Sequence, residues 1–275
     1  MNDSDPSKAS SELRRRRRIE PVSDVFDPEE IFDPGRAARP LAAFLLWSGP
    51  LLAGIGLLAW LRLLIGVPLP VDPQVNWSGL GLDFALLMLF AIPHSLLARG
   101  FGRRWLNHPL GPAGERPLYV FITGLSLCAL TWLWETSGPV LWNHAGVLKI
   151  LGYSIQVVGI ALAFWAAAVL GGGYLLGLPQ IRALRKGTQP ASAELVALPP
   201  FRWIRHPISL GLLLAMLGMQ EATLDRLLML LIWVPWVLFS APFEERDAEI
   251  AFGEAYEIYK DRTPRWLPLR RWKNS

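Results

Sequence analysis

The chemistry of this sequence starts from two short clusters far apart in the chain, Arg205-His206-Pro207 and Glu244-Glu245-Arg246-Asp247. They flank two apolar runs, Pro207 to Ala222 and Leu227 to Phe243, joined by the polar turn Thr223-Leu224-Asp225-Arg226. Counting equal numbers of residues down both arms from Leu224 and Asp225 brings Arg205 and His206 level with Phe243 and Glu244. The spacing therefore predicts two cations or potential cations beside three carboxylates at a membrane boundary. Pro207 stands in the first turn, where helices accept proline, and the free N–H groups there can hold an anion. A salt-bridge cluster that only anchors the two arms uses the same residue types, so both readings stand on this pattern.

A second candidate is His94. It shares an apolar run, Gly79 to Leu97, with one other ionisable residue, Asp83, 11 positions earlier and so on the same helical face. Asp83 fits a helix start near the outer surface. His94 lies toward the inner end, where an intramembrane ionisable residue points to a substrate pocket, or else to a side chain satisfied by a backbone carbonyl. His94 and His206 have no third ligand in a metal-ligand spacing, so no metal is expected. His108 and His144 fall in loops, and Cys128, the single cysteine, excludes a disulfide within the chain.

The elements that must position these residues are membrane helices. Of the 275 residues 52% are hydrophobic and 18% charged, against about a quarter charged in an ordinary soluble domain. Spanning takes about 20 apolar residues, and Leu41 to Gly66, Gly79 to Leu97, Pro117 to Trp134 and Ala145 to Leu170 meet or approach that length. With the two shorter runs, which read as a C-terminal helical hairpin, the expectation is an all-α, polytopic integral membrane protein of about six transmembrane helices. Of the 27 lysines and arginines, 24 fall in the tail, in the loops after the second and fourth runs, and after Phe243. That asymmetry places both termini in the cytoplasm and accounts for the basic excess without nucleic acid. Residues 1–40, with Arg14 to Arg18, read as a disordered basic tail, 41–243 as the transmembrane domain, and 244–275 as a cytoplasmic helix and tail. Ala248, Phe252, Tyr256 and Tyr259 recur at helical spacing after Glu244, which suits an amphipathic lid or a helix lying on headgroups.

The stretch from Pro199 to Gly211 with its Arg205-His206-Pro207 centre, then Glu244-Glu245-Arg246-Asp247, Phe252-Gly253, Tyr256, Tyr259 and Pro264-Arg265, resembles the C-terminal signature of the isoprenylcysteine carboxyl methyltransferase superfamily, with Ser209 at its usual Tyr. Pro93-His94-Ser95-Leu96-Leu97-Ala98-Arg99, Glu115-Arg116-Pro117-Leu118-Tyr119 and Leu175-Leu176-Gly177-Leu178-Pro179-Gln180 also match in order, which is most similar to its methanethiol S-methyltransferase and nitrite-reduction accessory branch. The likeness covers residues 80–268 and implies a membrane-embedded methyltransferase that uses S-adenosyl-L-methionine, with a bacterial inner membrane as the expected location. It implies cofactor binding by Arg205, His206, Pro207, Gly211, Glu244, Glu245 and Tyr256. Arg205 would pair with the cofactor carboxylate, and Glu244 or Glu245 with its amine or ribose hydroxyls. The acceptor is expected to be a small thiol or a lipophilic molecule. His206 or Glu245, and then His94, would serve as the base. A membrane reductase using NADPH and a non-enzymatic accessory protein of nitrogen-oxide metabolism are the alternatives, and cofactor binding separates them.

Overall fold

In a computed structural model the described residues are 35–66, 73–99, 114–186 and 194–268. Outside them lie Lys8, the arginines 14 to 18, Arg103, Arg104, His108, Arg270, Arg271 and Lys273, and with these the expected disordered tail. The elements are α1 (Gly35–Ile65), α2 (Trp77–Ala98), α3 (Glu115–Trp132), β1 (Val140–Asn143), α4 (Gly146–Leu170), α5 (Gly172–Leu175), α6 (Leu178–Lys186), α7 (Pro207–Leu217), β2 (Glu221–Thr223), α8 (Leu224–Phe252) and α9 (Glu254–Arg262).

Among the described residues four helices are long and apolar enough to cross a membrane, over Ala43–Ile65, Trp77–Ala98, Gly146–Leu170 and Leu224–Phe252. The chain is an integral membrane protein. Large apolar side chains stand on the outside of these helices, among them Trp47, Leu58, Val147, Val157 and Phe239, a surface that lipid accepts and water does not. Four of the six expected spans are thereby supported by length and composition. Helix α7 has 11 residues and rises about 16 Å, half the hydrocarbon thickness. Helix α3 carries Glu115 and Arg116 in its first turn and is not among the four.

Small residues let the helices approach. A Cβ on Gly124 of α3 would lie 2.5 Å from the Ala53 nitrogen of α1, and one on Gly159 of α4 would lie 2.5 Å from the Gly211 oxygen of α7. The core they enclose holds Trp60, Leu64, Leu87, Leu130, Met216, Met229 and Trp233. Gln156 of α4 crosses it, its Nε2 donating to the Leu64 oxygen at 2.9 Å and the Ala215 oxygen at 3.2 Å, so one amide ties α1, α4 and α7.

Two details depart from the all-α expectation and its polar turn. β1 and β2 pair antiparallel, Val140 with Thr223 and Asn143 with Glu221. Asp225 and Arg226 are buried rather than solvated. The Asp225 carboxylate accepts from Trp134 Nε1 at 2.8 Å and from the Ser137 amide at 3.2 Å, while Asp83 accepts from the Glu135 amide at 3.0 Å. The loop after α3 is thus pinned by two carboxylates at the end of the bundle remote from Arg205. Asp225→Ala should remove the acceptor for two of those donors and cost about 3 kcal/mol, read as a lowered melting temperature in detergent with the site chemistry at the other end unchanged.

Helix α8 also runs on past Phe243, where the sequence suggests a break, and ends at Gly253. That residue has φ of +55°, a conformation glycine adopts without a Cβ clash. The cytoplasmic helix expected after Glu244 is therefore divided between the last turns of α8 and α9.

Candidate functional site

Arg205 and His206 precede the first turn of α7, with His206 at its N-cap and Pro207 opening the helix. Glu244 and Glu245 project from α8 beside them. Glu245 is the centre: its side chain is 3% exposed and its Oε1 accepts from Arg205 Nε at 2.9 Å and Arg265 Nε at 2.9 Å, with His206 Nε2 at 3.1 Å. Its Oε2 accepts from Arg265 Nη2 at 2.5 Å. Two guanidinium groups on one buried carboxylate satisfy what an isolated charge there could not, and the shared carboxylate reinforces the charge of Arg265.

Arg205 spends its remaining reach on backbone. Its Nη1 donates to the Lys260 oxygen at 2.9 Å and to the Thr263 oxygen at 2.5 Å. The Arg205 and His206 amides donate to the Pro264 and Arg265 oxygens at 2.9 and 3.3 Å. Residues 263–266 therefore form a strap across the N-terminus of α7. Trp266 closes it, its ring 5.3 Å from His206. Beneath the strap Tyr259 donates to the Phe201 oxygen at 2.7 Å, and Tyr256 packs against Tyr259 at 5.7 Å between centroids. Burial pushes the Tyr256 hydroxyl up to about 12 and raises that of Tyr259 further.

Glu244 is different. Its side chain is 51% exposed, with Oε2 3.3 Å from His206 Nδ1 and Oε1 accepting from Ser240 at 2.9 Å. A buried carboxylate, an imidazole and an open carboxylate thus stand in line. From the other side Arg99 lies 4.4 Å over the Phe243 ring, and among the described residues Glu244, Arg116 and Arg99 act electrostatically on His94. His94 stacks on Phe90 at 5.1 Å and 21°, and meets the Tyr119 hydroxyl.

The chain covers most of the length of several curated proteins. It is 31% identical to methanethiol S-methyltransferase 2 of Bradyrhizobium diazoefficiens over 74% of this chain and 79% of that one. The chain belongs to the isoprenylcysteine carboxyl methyltransferase-like family. Within that family it is 30% identical to the methanethiol S-methyltransferase of Mycobacterium tuberculosis, over 68% of this chain and 77% of that one, and 28% identical to nurim of Mus musculus, over 75% and 87%. No model of a protein family matches the chain, and no solved structure matches it. As a member of this family the protein is an integral-membrane methyltransferase.

The structure brings Arg205, His206, Pro207, Glu244, Glu245 and Tyr256 together and sets His94 within electrostatic reach of them. Gly211 is placed otherwise, against Gly159 and Ala163 of α4, where its contacts are those of a packing glycine. Three residues escape the sequence reading of the site: Arg265 and Trp266 of the strap, and Tyr119 beside His94. Arg265 and Tyr119 had a signal, since both stand in the stretches that carry the resemblance, Pro264-Arg265 and Glu115 to Tyr119.

Proposed function

We propose that this protein is an S-adenosyl-L-methionine-dependent methyltransferase that acts from the cytoplasmic side on a small thiol, the acceptor named for its bacterial relatives. The observation that carries the reading is the open Glu244 carboxylate at one end of a membrane bundle, backed by His206, which also meets Trp266 and shares Glu245 with Arg265.

The donor set suits this cofactor. Glu244 is the carboxylate with free surface, and it takes the amine or the ribose hydroxyls. Arg265, 37% exposed, takes the carboxylate with the donor not spent on Glu245. Arg205 and Glu245 hold the frame, a change from direct cofactor contact that follows from their saturation by one another. Pro207 begins the helix whose free amides favour an anion, His206 orients Glu244, and Tyr256 packs beneath the pair. When bound, the cofactor supplies an electrophilic methyl group on sulfur, and transfer leaves S-adenosylhomocysteine and one proton. The chain's part is alignment, which is worth about 7 to 11 kcal/mol in such displacements, and removal of the thiol proton.

A small acceptor is supported by the bundle interior. Trp60, Trp233, Phe90 and His94 form a continuous column of rings, with centroids 5.1, 5.4 and 5.1 Å apart, which fills the space beyond His94. A long lipid chain has no room along that line. The topology belongs to the same reading: both termini cytoplasmic, six crossings with α3 held inside the bundle, α7 and α8 as a hairpin, and a bacterial inner membrane. Reporter fusions after Gly138 should then be extracytoplasmic and fusions after Lys186 cytoplasmic.

The test of the reading is calorimetry with S-adenosylhomocysteine on the purified protein, together with methyl transfer from labelled cofactor to methanethiol. Binding and turnover are expected. Glu244→Gln should weaken binding by tens-fold or more, and absence of any binding to the wild-type protein overturns the reading.

A further inference from the structure

We propose that Tyr119 is the residue that faces the acceptor thiol and relays its proton to His94, an inference that rests on the thiol methyltransferase reading above. The Tyr119 oxygen lies 3.1 Å from His94 Nδ1 and 3.3 Å from His94 Nε2. A neutral imidazole carries its lone pair on one nitrogen or the other, and in either tautomer the hydroxyl is within hydrogen-bond distance of it. The Tyr119 hydroxyl can therefore donate to whichever imidazole nitrogen carries the lone pair, and of its two oxygen lone pairs one is engaged by the Thr123 hydroxyl and the other can accept from a donor arriving from outside.

The surroundings hold this pair in place. One side of the imidazole is taken by Phe90, stacked at 21°. The Arg116 guanidinium lies 4.8 Å over the Tyr119 ring, and Arg116 is fixed in turn by Nε donation to the Leu175 oxygen at 3.0 Å. A cation over the ring face favours negative charge developing on the phenol oxygen. Among the described residues Arg116 on α3, Arg99 at the end of α2 and Glu244 on α8 are charged groups whose field reaches His94. Glu244 is also the carboxylate that His206 touches, so the His94–Tyr119 pair and the cofactor half of the site share one group.

The step balances without another reactant. The thiol S–H bond breaks and its proton passes to the Tyr119 oxygen as the Tyr119 proton passes to the His94 nitrogen. The sulfur pair forms the new S–CH3 bond, the old sulfonium–methyl bond breaks, and its electron pair stays on the departing sulfur. The products are a methyl thioether, S-adenosylhomocysteine and a protonated His94, which releases its proton afterwards.

The experiment uses the full chain in detergent and methanethiol as the acceptor. Tyr119→Phe keeps the ring and its contact with Arg116. It should lower kcat by a hundred-fold or more with the affinity for S-adenosylhomocysteine within two-fold of wild type. Its rate should then follow the thiolate already present in solution, rising about ten-fold per pH unit below the thiol pKa, where the wild-type profile is flat. His94→Gln should give the same profile, and the double variant should be no worse than either single one, because the two act as a unit. A readout free of turnover is the imidazole nitrogen spectrum: the chain has four histidines, and Tyr119→Phe should move the His94 signal and leave that of His206 in place. Wild-type kcat and an unchanged pH profile in Tyr119→Phe, or an unmoved His94 signal, overturn the proposal while leaving the methyltransferase reading intact. If Tyr119→Phe does not fold, His94→Gln decides by the same profile. A wild-type protein that neither binds S-adenosylhomocysteine nor methylates methanethiol removes the underlying reading and this relay with it.

Discussion

A Glu245→Ala protein is expected to lose both its C-terminal strap and its cofactor affinity. The substitution leaves the Arg205 and Arg265 guanidinium groups and His206 crowded around a space with no counter-charge. Arg205 has a side chain 9% exposed and cannot turn to water without giving up the Lys260 and Thr263 carbonyls. Breaking one partner out of a buried ion pair costs about 3 to 5 kcal/mol, and here one carboxylate serves three partners. The strap follows, because residues 263–266 are held by Arg205 and by amide bonds that need Arg205 and His206 where they are. Thermal unfolding, limited proteolysis near Lys260 and calorimetry with S-adenosylhomocysteine on one preparation check this. Glu245→Gln separates charge from shape, since its amide oxygen still accepts but no longer balances two cations. A Glu245→Ala protein with wild-type melting and wild-type affinity would show the carboxylate to be idle.

The meeting of Arg205 and His206 with Glu244 and Glu245 was legible in the sequence, and the reason is geometric. From Leu224 to Glu244 helix α8 rises about 30 Å, whereas α7 rises about 16 Å. Gly218 to Thr223 makes up the difference, because six residues drawn out toward strand geometry can reach about 20 Å. Equal counting down two unequal helices therefore lands on the right partners. The ends of α4 were legible too, since a long, mainly apolar run closes at Gly171. What could not be read is whatever backbone or ring contacts decide. The strap is held by main-chain bonds from Arg205 and His206 to Pro264 and Arg265, which leave no mark in residue type. Asp225 and Arg226 look like any charged turn, and it is the Trp134 and Ser137 donors to Asp225 and the Glu221 carbonyl that accepts from Arg226 that make their burial tolerable. Tyr119 meets His94 across two helices, 25 positions away, with no period to announce it.

Gly211→Val is expected to separate α7 from α4 and to take the site with it. A Cβ at Gly211 would stand 2.5 Å from the Gly159 oxygen and 2.7 Å from the Ala163 nitrogen, and one at Gly159 would meet the Gly211 oxygen at 2.5 Å, so backbone faces backbone on both sides. Flexible side chains can yield to an added methyl group, but a helix backbone must move as a body. Overpacking of a closed contact costs about 1 to 3 kcal/mol, and the upper end applies here. Gly211 opens the second turn of the helix that begins at Pro207, so a displaced α7 carries His206 away from Glu244 and Glu245. Loss of S-adenosylhomocysteine affinity should therefore accompany a lowered melting temperature, and Gly211→Ala should show both effects more weakly. The contrast is Gly81 in α2, where an added Cβ meets nothing within 4 Å. There Gly81→Ala should raise stability by about 0.5 to 1 kcal/mol, the helix-interior cost of glycine, with affinity unchanged. A Gly211→Ala protein that melts like wild type yet fails to bind would assign Gly211 to direct cofactor contact, and the packing account of this residue would have to be given up.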